Sequence, residues 1–189
     1  MIQPVSVPID EKFITDACYY AFKTVTCSFD NAMKPRFGNG GLFKHLLGKI
    51  GETAFFRFCL ENQIAVKHTP FRNDYSELNS MDDFVISLLG HDFRVEVKTA
   101  TLNNPLNPDG KLVLFYNRDQ YKAQEDHDYL VVFAGVNREV TQIALIGWIH
   151  AEDIRSCKIW TKNMKAPAYA IPLAKLRDMR RLADAEVWR

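Results

Sequence analysis

The sequence predicts an α/β fold in which helices flank a central mixed β-sheet. Residues 10–23 carry apolar side chains at helical spacing, whereas residues 84–89 and 93–98 alternate apolar and polar side chains as strands do. Residues 129–133 are apolar throughout, which is typical of a strand that is buried on both faces. Because the chain has no repeats or low-complexity tracts, we predict a single domain over residues 1–189.

The remaining elements are predicted from hydrophobic periodicity and from the residues that end helices and strands. Asp10 is the expected N-cap of the first helix, and residues 24–29 are ambiguous. Residues 101–110 contain three Asn and two Pro and therefore read as a loop. The predicted elements in chain order are helices at 10–23 and 49–62, strands at 64–67, 84–89 and 93–98, a short helix at 118–125, strands at 129–133 and 142–149, and a helix at 173–183.

The hairpin formed by the two alternating segments carries the most informative residues. If Gly90 and His91 form a two-residue turn, Asp83 lies opposite Lys98. Since side chains alternate between the faces of a strand, Asp83, Glu96 and Lys98 then emerge on one face. The other face of the hairpin is apolar and is expected to be buried.

Two carboxylates and a lysine on one face are suited to a hard metal ion. Mg²⁺ prefers oxygen ligands and keeps several waters, so one or two protein carboxylates are sufficient to hold it. Such an ion polarises a phosphoryl oxygen and activates a bound water. A neighbouring lysine can orient that water or neutralise the charge of the transition state.

These residues resemble the motif of the PD-(D/E)XK nuclease superfamily. Asp83 corresponds to the aspartate of the motif, and Glu96-Val97-Lys98 corresponds to its (D/E)XK element. Asp82 stands where the name of the motif has proline, a residue that shapes the entry of the strand and performs no chemistry.

The resemblance extends over about residues 48–150. Residues 51–58 are similar to the helix that precedes the core in many members, where a glutamate, here Glu52, supplies a further metal ligand. Gln120 and the strand at 128–133 are similar to the helix and central strand that follow the motif. The resemblance implies a restriction-endonuclease-like core with the order α-β-β-β-α-β, followed by a basic C-terminal extension over about residues 151–189.

The resemblance also implies a metal site and an activity. Asp83 and Glu96 would bind Mg²⁺, or Mn²⁺ as a substitute, together with the carbonyl of Val97. Lys98 would position the attacking water, and Glu52 would support a second metal or a metal-bound water. The implied activity is Mg²⁺-dependent endonucleolytic cleavage of DNA, as in restriction endonucleases, junction resolvases and phage-encoded nickases. Gln120 would position the scissile strand, although Gln124 is an equally plausible choice.

Ordinary structural roles are the alternatives for each residue. A Glu-x-Lys pair is often a solvated surface pair, Asp83 could be a turn residue at the start of a strand, and Glu52 could be a first-turn glutamate. For the whole chain, the alternative is a catalytically idle nucleic-acid-binding or protein-interaction module of the same fold.

The distribution of charge is more informative than its sum, which is +1. Basic residues concentrate on both sides of an acidic centre, which suits contact with DNA phosphates, although basic faces are commonly only solvated. Trp160, Tyr169 and Trp188 could stack on bases or pack in the core. The predicted phosphate contacts are Lys34, Arg36, Lys44, Lys49, Lys158, Lys162, Lys165, Arg177 and Arg180.

No apolar run approaches the ~18 residues of a membrane span, and the N-terminus lacks the pattern of a signal peptide. We therefore expect an intracellular protein without membrane contact, in the cytoplasm of a prokaryote or of a phage-infected cell. The four cysteines show no CxxC spacing, so neither a zinc site nor a disulfide framework is indicated. A homodimer is compatible with the sequence.

Overall fold

A computed structural model describes residues 2–26, 41–71, 83–123, 129–162, 164–182 and 184. These residues form four α-helices and nine β-strands, so the predicted α/β class with a mixed sheet is confirmed. The helices are α1 (Glu11–Thr26), α2 (Gly41–Glu61), α3 (Arg118–Ala123) and α4 (Ala151–Ile154). The strands are β1 (Val5–Ser6), β2 (Ala65–His68), β3 (Phe84–Leu88), β4 (His91–Thr101), β5 (Val113–Asn117), β6 (Tyr129–Val136), β7 (Ile143–His150), β8 (Lys158–Trp160) and β9 (Ala168–Pro172).

The main sheet has six strands in the order β1-β7-β6-β4-β3-β2. Strands β4 and β6 run parallel, and the other neighbours in this sheet are antiparallel. All residues of β6 are buried, as expected for a central strand that is covered on both faces. A smaller sheet has the order β5-β9-β8.

The two faces of the main sheet are covered by different layers. Helices α1 and α2 pack on one face, where Phe13 and Phe55 share a core cluster with Val95 and Val97 of β4. The small sheet and helices α3 and α4 cover the other face, in a second cluster that includes Tyr116. Because side chains alternate along a strand, the residues of β4 between and beyond the two valines point toward the small sheet.

Helix α2 lies unusually close to β4. A Cβ atom built on Gly51 would stand 2.0 Å from Thr99 Oγ1 and 3.2 Å from the Cβ atom of Ala134. Glycine is therefore required for this approach, which brings the next residue of the helix, Glu52, near the end of the strand pairing. The helix is also longer than predicted, since it begins at Gly41 rather than at residue 49.

The start of α1 agrees with its sequence signal. Asp10 Oδ1 accepts a hydrogen bond of 2.7 Å from the Phe13 backbone N–H, which is the expected capping contact. The same carboxylate pairs with Arg57 of α2 at 2.7 Å, so the cap also connects the two helices. The hydrogen bond from Arg57 has the largest effect and, together with that from the Phe13 N–H, lowers the pKa of Asp10 to about 2.

The predicted register of the hairpin is wrong by two residues. Leu88 pairs with His91, so Leu89 and Gly90 form the turn. Both have positive φ, 52° and 82°, as a type I′ turn requires. Asp83 therefore does not lie opposite Lys98. Because the shift is by an even number of residues, every side chain keeps the face that was predicted for it.

The predicted C-terminal helix at residues 173–183 is also wrong. The segment contains two single 3₁₀ turns, Leu173–Lys175 and Met179–Arg181. Between them, the backbone of Arg177 exchanges hydrogen bonds of 2.7 and 3.0 Å with Trp148 of β7. This long-range pairing holds the chain extended and prevents a continuous helix.

None of the helices in the described part of the chain is long and apolar enough to cross a membrane.

Candidate functional site

Asp83 lies at the point where the pairing of β3 with β4 ends. Strand β3 begins at Phe84, opposite Val95, and Asp83 reaches past this pair toward the continuing β4. Its Oδ2 atom accepts a hydrogen bond of 2.7 Å from the backbone N–H of Val97. In an extended strand the N–H and C=O of one residue point to the same side, so the Val97 carbonyl faces the same edge as this carboxylate.

Glu96 and Lys98 are separated by one residue on β4 and share a face. Their side chains form an ion pair. Glu96 is buried, whereas Lys98 is partly exposed and its amine lies 5.6 Å from the ring centroid of Tyr116. The structure therefore brings Asp83, Glu96 and Lys98 together where the β3–β4 pairing ends, and Glu96 and Lys98 share one face of β4, as the hairpin pattern predicted.

Glu52 approaches from the helical layer and is buried in α2. It forms an ion pair of 2.5 Å with Lys49, one turn earlier in the same helix. Lys49 was expected to contact phosphate from the surface. Instead it is buried, and its amine is held inside the site region by Glu52. A run of basic residues in a sequence does not reveal which of them turns inward.

The charges of these side chains shift each other's protonation. Burial raises the pKa of Asp83 well above its usual value, and the negative charges of Glu96 and Glu52 raise it further. Lys98 and the Val97 N–H act in the opposite direction but are outweighed. Burial lowers the pKa of Lys98, yet the three carboxylates together outweigh burial and raise it. These carboxylates therefore favour the protonated, positively charged form of Lys98.

The protein groups available as metal ligands at this site are few. Within the described residues, no group of three or more His, Cys, Asp or Glu side chains is arranged to hold a metal ion. Two carboxylates, Asp83 and Glu96, with the Val97 carbonyl are a smaller set, and Mg²⁺ needs only one or two protein carboxylates. Burial, and after it the charges of Glu96 and Glu52, raise the pKa of Asp83, and a bound cation would favour its ionised form. Glu52 is engaged by Lys49 in this arrangement.

An open cleft of about 330 Å³ lies beside Lys98. Gln120, predicted to position the scissile strand, and Lys165, predicted to contact phosphate, both line it. Asn117 also lines the cleft and caps α3, because its Oδ1 accepts hydrogen bonds of 2.7 Å from the Asp119 N–H and 3.2 Å from the Gln120 N–H. Gln124, the alternative to Gln120, lies outside the described residues.

Sequence reasoning missed the other walls of this cleft. Phe115, Met164 and Ala168 line it from the small sheet and from the connection between β8 and β9. The alternation of β5 and the Asn that precedes α3 were usable local signals for that part of the wall. The contribution of residues 164–168 depends on pairing between distant strands, which the local pattern does not reveal.

The predicted phosphate contacts separate into distinct groups. Lys158, Lys162 and Lys165 are exposed on β8 and on the connection that follows it. Lys44 lies on the exposed first part of α2. Lys34 and Arg36 fall outside the described residues.

The two predicted phosphate contacts in the C-terminal segment, Arg177 and Arg180, make internal contacts. Arg177 pairs with Asp153 at 2.9 Å and stacks over the ring of Trp148 at 5.0 Å. Arg180 donates a hydrogen bond of 2.6 Å to Gln3. These contacts connect the C-terminal segment to the rest of the fold.

The three aromatic residues considered for base stacking also differ. Tyr169 is buried and packs edge-on against Tyr121, so it belongs to the core. Trp160 is exposed, and Trp188 lies outside the described residues.

Comparisons of this chain with protein-family models, curated proteins and solved structures gave no match. The chemical interpretation of the site therefore depends on its own side chains and their arrangement.

Proposed function

We propose that the protein is a divalent-metal-dependent nuclease that cleaves phosphodiester bonds within DNA. The observation that carries the proposal is the convergence of Asp83, Glu96 and Lys98 at the end of the β3–β4 pairing, with the Asp83 carboxylate anchored on the Val97 N–H. Asp83 has a pKa raised by burial and by neighbouring carboxylates, and strongly shifted pKa values are found preferentially at functional sites.

The order of elements around the site supports the same reading. Helix α2 is followed by β2, β3 and β4, and α3 is followed by β6. The first three strands pair antiparallel, and β6 adds parallel to β4. This is the α-β-β-β-α-β order expected of a restriction-endonuclease-like core, with β5 added before α3 and paired in the small sheet.

Asp83, Glu96 and the Val97 carbonyl are the groups that would hold Mg²⁺ or Mn²⁺. The bound ion would supply polarisation of a phosphoryl oxygen and offset the charge that develops during hydrolysis.

Lys98 would act directly on the phosphate and on the attacking water. Its ammonium is held by Glu96 and by the ring of Tyr116, and it faces the cleft in which a phosphodiester would lie. A fixed cation in a partly water-excluded site stabilises developing negative charge more strongly than a mobile surface lysine. Glu52 contributes at a distance, because its charge helps to keep Lys98 protonated.

Gln120 and the exposed lysines would position the DNA. Gln120 and Lys165 line the cleft, where the amide would form hydrogen bonds with the DNA and the ammonium would contact a phosphate. Lys158 and Lys162 extend that charge along the small sheet. Such contacts are independent of sequence and depend on salt.

The deciding experiment compares Lys98→Ala with Lys67→Ala. Lys67 is a matched control, since it lies on β2 of the same sheet and pairs with Asp92 at 2.7 Å. With Mg²⁺ and supercoiled plasmid, Lys98→Ala should cut at least about a hundredfold more slowly, whereas Lys67→Ala should cut like the wild type. Affinity for DNA in Ca²⁺, measured separately, should be nearly unchanged in Lys98→Ala, which loses one of several phosphate contacts, and unchanged in Lys67→Ala. Cleavage by Lys98→Ala at the wild-type rate, or cleavage by the wild type in EDTA, would contradict the mechanism.

A nucleic-acid-binding module without catalysis is the second candidate. The ion pair between Glu52 and Lys49 favours it, because this carboxylate is then engaged and does not support a second metal or a metal-bound water. It predicts that DNA affinity is retained while cleavage is absent with every divalent ion tested.

A further inference from the structure

The outer face of the small sheet carries two exposed aromatic rings. Phe115 lies on edge strand β5 and Trp160 on edge strand β8, with 41% and 39% of their surfaces exposed. Between the two rings, the central strand β9 contributes the small side chains of Ala168 and Ala170 to this face. Ala170 pairs with Phe115 on one side, and Ala168 pairs with Trp160 on the other. The two rings therefore stand on either side of a shallow floor.

Packing of the small sheet in the core does not require Phe115 and Trp160 on its outer face. The opposite face of the small sheet already packs against the main sheet through Leu114, Tyr116 and Ile171, which are all buried. The second face of such a sheet normally carries polar side chains toward solvent. Exposed aromatic residues grouped on one face indicate a binding surface.

The spacing of the rings suits a strand of nucleic acid. Neighbouring strands lie about 4.8 Å apart, so β5 and β8 are separated by roughly 10 Å. Phe115 and Trp160 are also offset along β9, because their partners Ala170 and Ala168 are two residues, or about 7 Å, apart. The resulting distance of roughly 12 Å is that of about three to four nucleotides at about 3.4 Å per stacked base.

Three exposed lysines lie on the β8 side of the face. Lys158 is on β8, and Lys162 and Lys165 follow in the connection to β9, all exposed. The chain contains no acidic residue between Arg155 and Arg177. An exposed basic face is complementary to a phosphate backbone.

Trp160 is held in place for contact. Its Nε1–H donates a hydrogen bond of 2.8 Å to the backbone carbonyl of Lys162, and the Lys158 amine lies 6.0 Å from the ring centroid. An oriented aromatic ring can stack on a base, while the adjacent cation contacts the neighbouring phosphate.

The face is continuous with the candidate catalytic cleft. Phe115 and Ala168 belong to both, and Lys98 and Gln120 line the other walls of the cleft. A strand that lies across the small sheet would therefore enter the cleft beside Lys98.

We propose that the outer face of the small sheet binds an unpaired segment of a DNA strand, with bases stacked on Phe115 and Trp160 and phosphates beside Lys158, Lys162 and Lys165. The face directs this segment into the cleft. The proposal deepens the nuclease function and rests on it for delivery to a catalytic site, although strand binding itself requires no cleavage. The preferred substrates would then be single-stranded, gapped or branched DNA.

The test measures binding without cleavage. A fluorescein-labelled 12-nucleotide oligothymidylate is titrated in EDTA at fixed low salt, and anisotropy gives Kd. Trp160→Ala and Phe115→Ala should each weaken binding by roughly 5- to 150-fold, since one stacked base contributes about 1–3 kcal/mol. Trp160→Phe keeps a ring and should recover much of the affinity, which separates stacking from misfolding.

Tyr19→Ala is the matched control. Tyr19 is an aromatic residue on α1 with 46% of its surface exposed and a lysine amine 5.6 Å from its ring, but it belongs to the helical layer. Its replacement should leave Kd unchanged. A fully paired 12-base-pair duplex should bind more weakly than the oligothymidylate.

The outcomes separate this proposal from the nuclease function. If Trp160→Ala and Phe115→Ala bind the oligothymidylate as tightly as Tyr19→Ala, the stacking face is refuted, whether or not the protein cleaves DNA. If both variants lose affinity while no divalent ion supports cleavage by the wild type, the face is supported and the nuclease function fails.

Discussion

Replacement of Gly51 by alanine tests how closely helix α2 lies to strand β4. The added Cβ atom would stand 2.0 Å from Thr99 Oγ1 and 3.2 Å from both Thr99 Cβ and Ala134 Cβ. A separation of 2.0 Å cannot be tolerated, so either the threonine or the helix must move. The clash lies on the buried side of the helix, where neighbouring atoms leave little space for relaxation.

Two effects of opposite sign determine the result. Alanine is favoured over glycine inside a helix by about 1 kcal/mol. Overpacking of a filled core costs about 1–3 kcal/mol. Since the clash at Gly51 is severe, we expect the second effect to exceed the first, with a net loss of about 1 kcal/mol of unfolding free energy. For a protein of this size that corresponds to a decrease of roughly 2–4 °C in Tm.

A second substitution identifies the atom responsible. Among the described residues, Thr99 Oγ1 is buried and has no hydrogen-bond partner. Thr99→Ala removes it and should be close to neutral or stabilising, because a buried unsatisfied hydroxyl carries a desolvation penalty. The double variant with Gly51→Ala then keeps only the 3.2 Å contacts and should recover the wild-type stability. A favourable interaction of about 1 kcal/mol in the double-mutant cycle is expected.

Gly48 supplies the matched control in the same helix. A Cβ atom there would meet only Glu52 Oε1, at 3.8 Å, which is an ordinary contact. Gly48→Ala should therefore raise the stability by about 1 kcal/mol. Urea denaturation followed by far-UV circular dichroism measures all four variants. If Gly51→Ala stabilises the protein as much as Gly48→Ala does, helix α2 does not approach Thr99 in the way described.

The remaining predictions concern the charge of the site and the hairpin turn. Because burial, Glu96 and Glu52 raise the pKa of Asp83, its ionised form costs stability at pH values above the ordinary carboxylate pKa. Asp83→Asn should therefore stabilise the metal-free protein by roughly 1 kcal/mol at pH 7.5, with no gain at pH 3, in urea denaturation at both pH values. An unchanged midpoint at pH 7.5 would refute this. Leu89→Asn should raise Tm, because Leu89 has a φ of 52° in the turn and the left-handed region costs leucine about 1–2 kcal/mol; a lower Tm would argue against that turn.

The composition of the site could be predicted because a register error of two residues leaves every side chain on the same face of its strand. The expected turn at Gly90 and His91 placed the pairing two residues away from that observed. Asp83, Glu96 and Lys98 nevertheless stay on their predicted face, since an even shift preserves the alternation. The correct turn was available from the preference of type I′ turns for glycine at the second position, which Gly90 occupies.

The small sheet and the C-terminal segment could not be predicted from local pattern. Strand β8 has three residues, and β9 pairs with β5 more than fifty positions earlier in the chain. Residues 173–183 have a periodicity compatible with a helix, but pairing of Arg177 with Trp148 overrides it. In such segments, tertiary contacts rather than local propensity decide which secondary structure forms. The burial of Lys49 has the same origin, because only the packing of α2 on the sheet turns it inward.

The candidate site exists because β4 is longer than its neighbour β3. Strand β4 has eleven residues and β3 has five, so β4 continues past the first residue of β3. Asp83, just before the shorter strand, accepts a hydrogen bond from the Val97 N–H of the longer one. Glu52 lies near enough for its charge to act on Asp83 and Lys98.

Gly51 controls that approach from the helical side, since it is the residue before Glu52 and contacts β4 at Thr99. Packing of the helix and charge of the site therefore depend on one contact. A variant that separates α2 from Thr99 should lower both the stability and the pKa of Lys98, because Glu52 is one of the charges that raise that pKa. Removal of the threonine hydroxyl should restore the two properties together. If stability recovers and the site does not, the position of Glu52 is set by contacts other than this one.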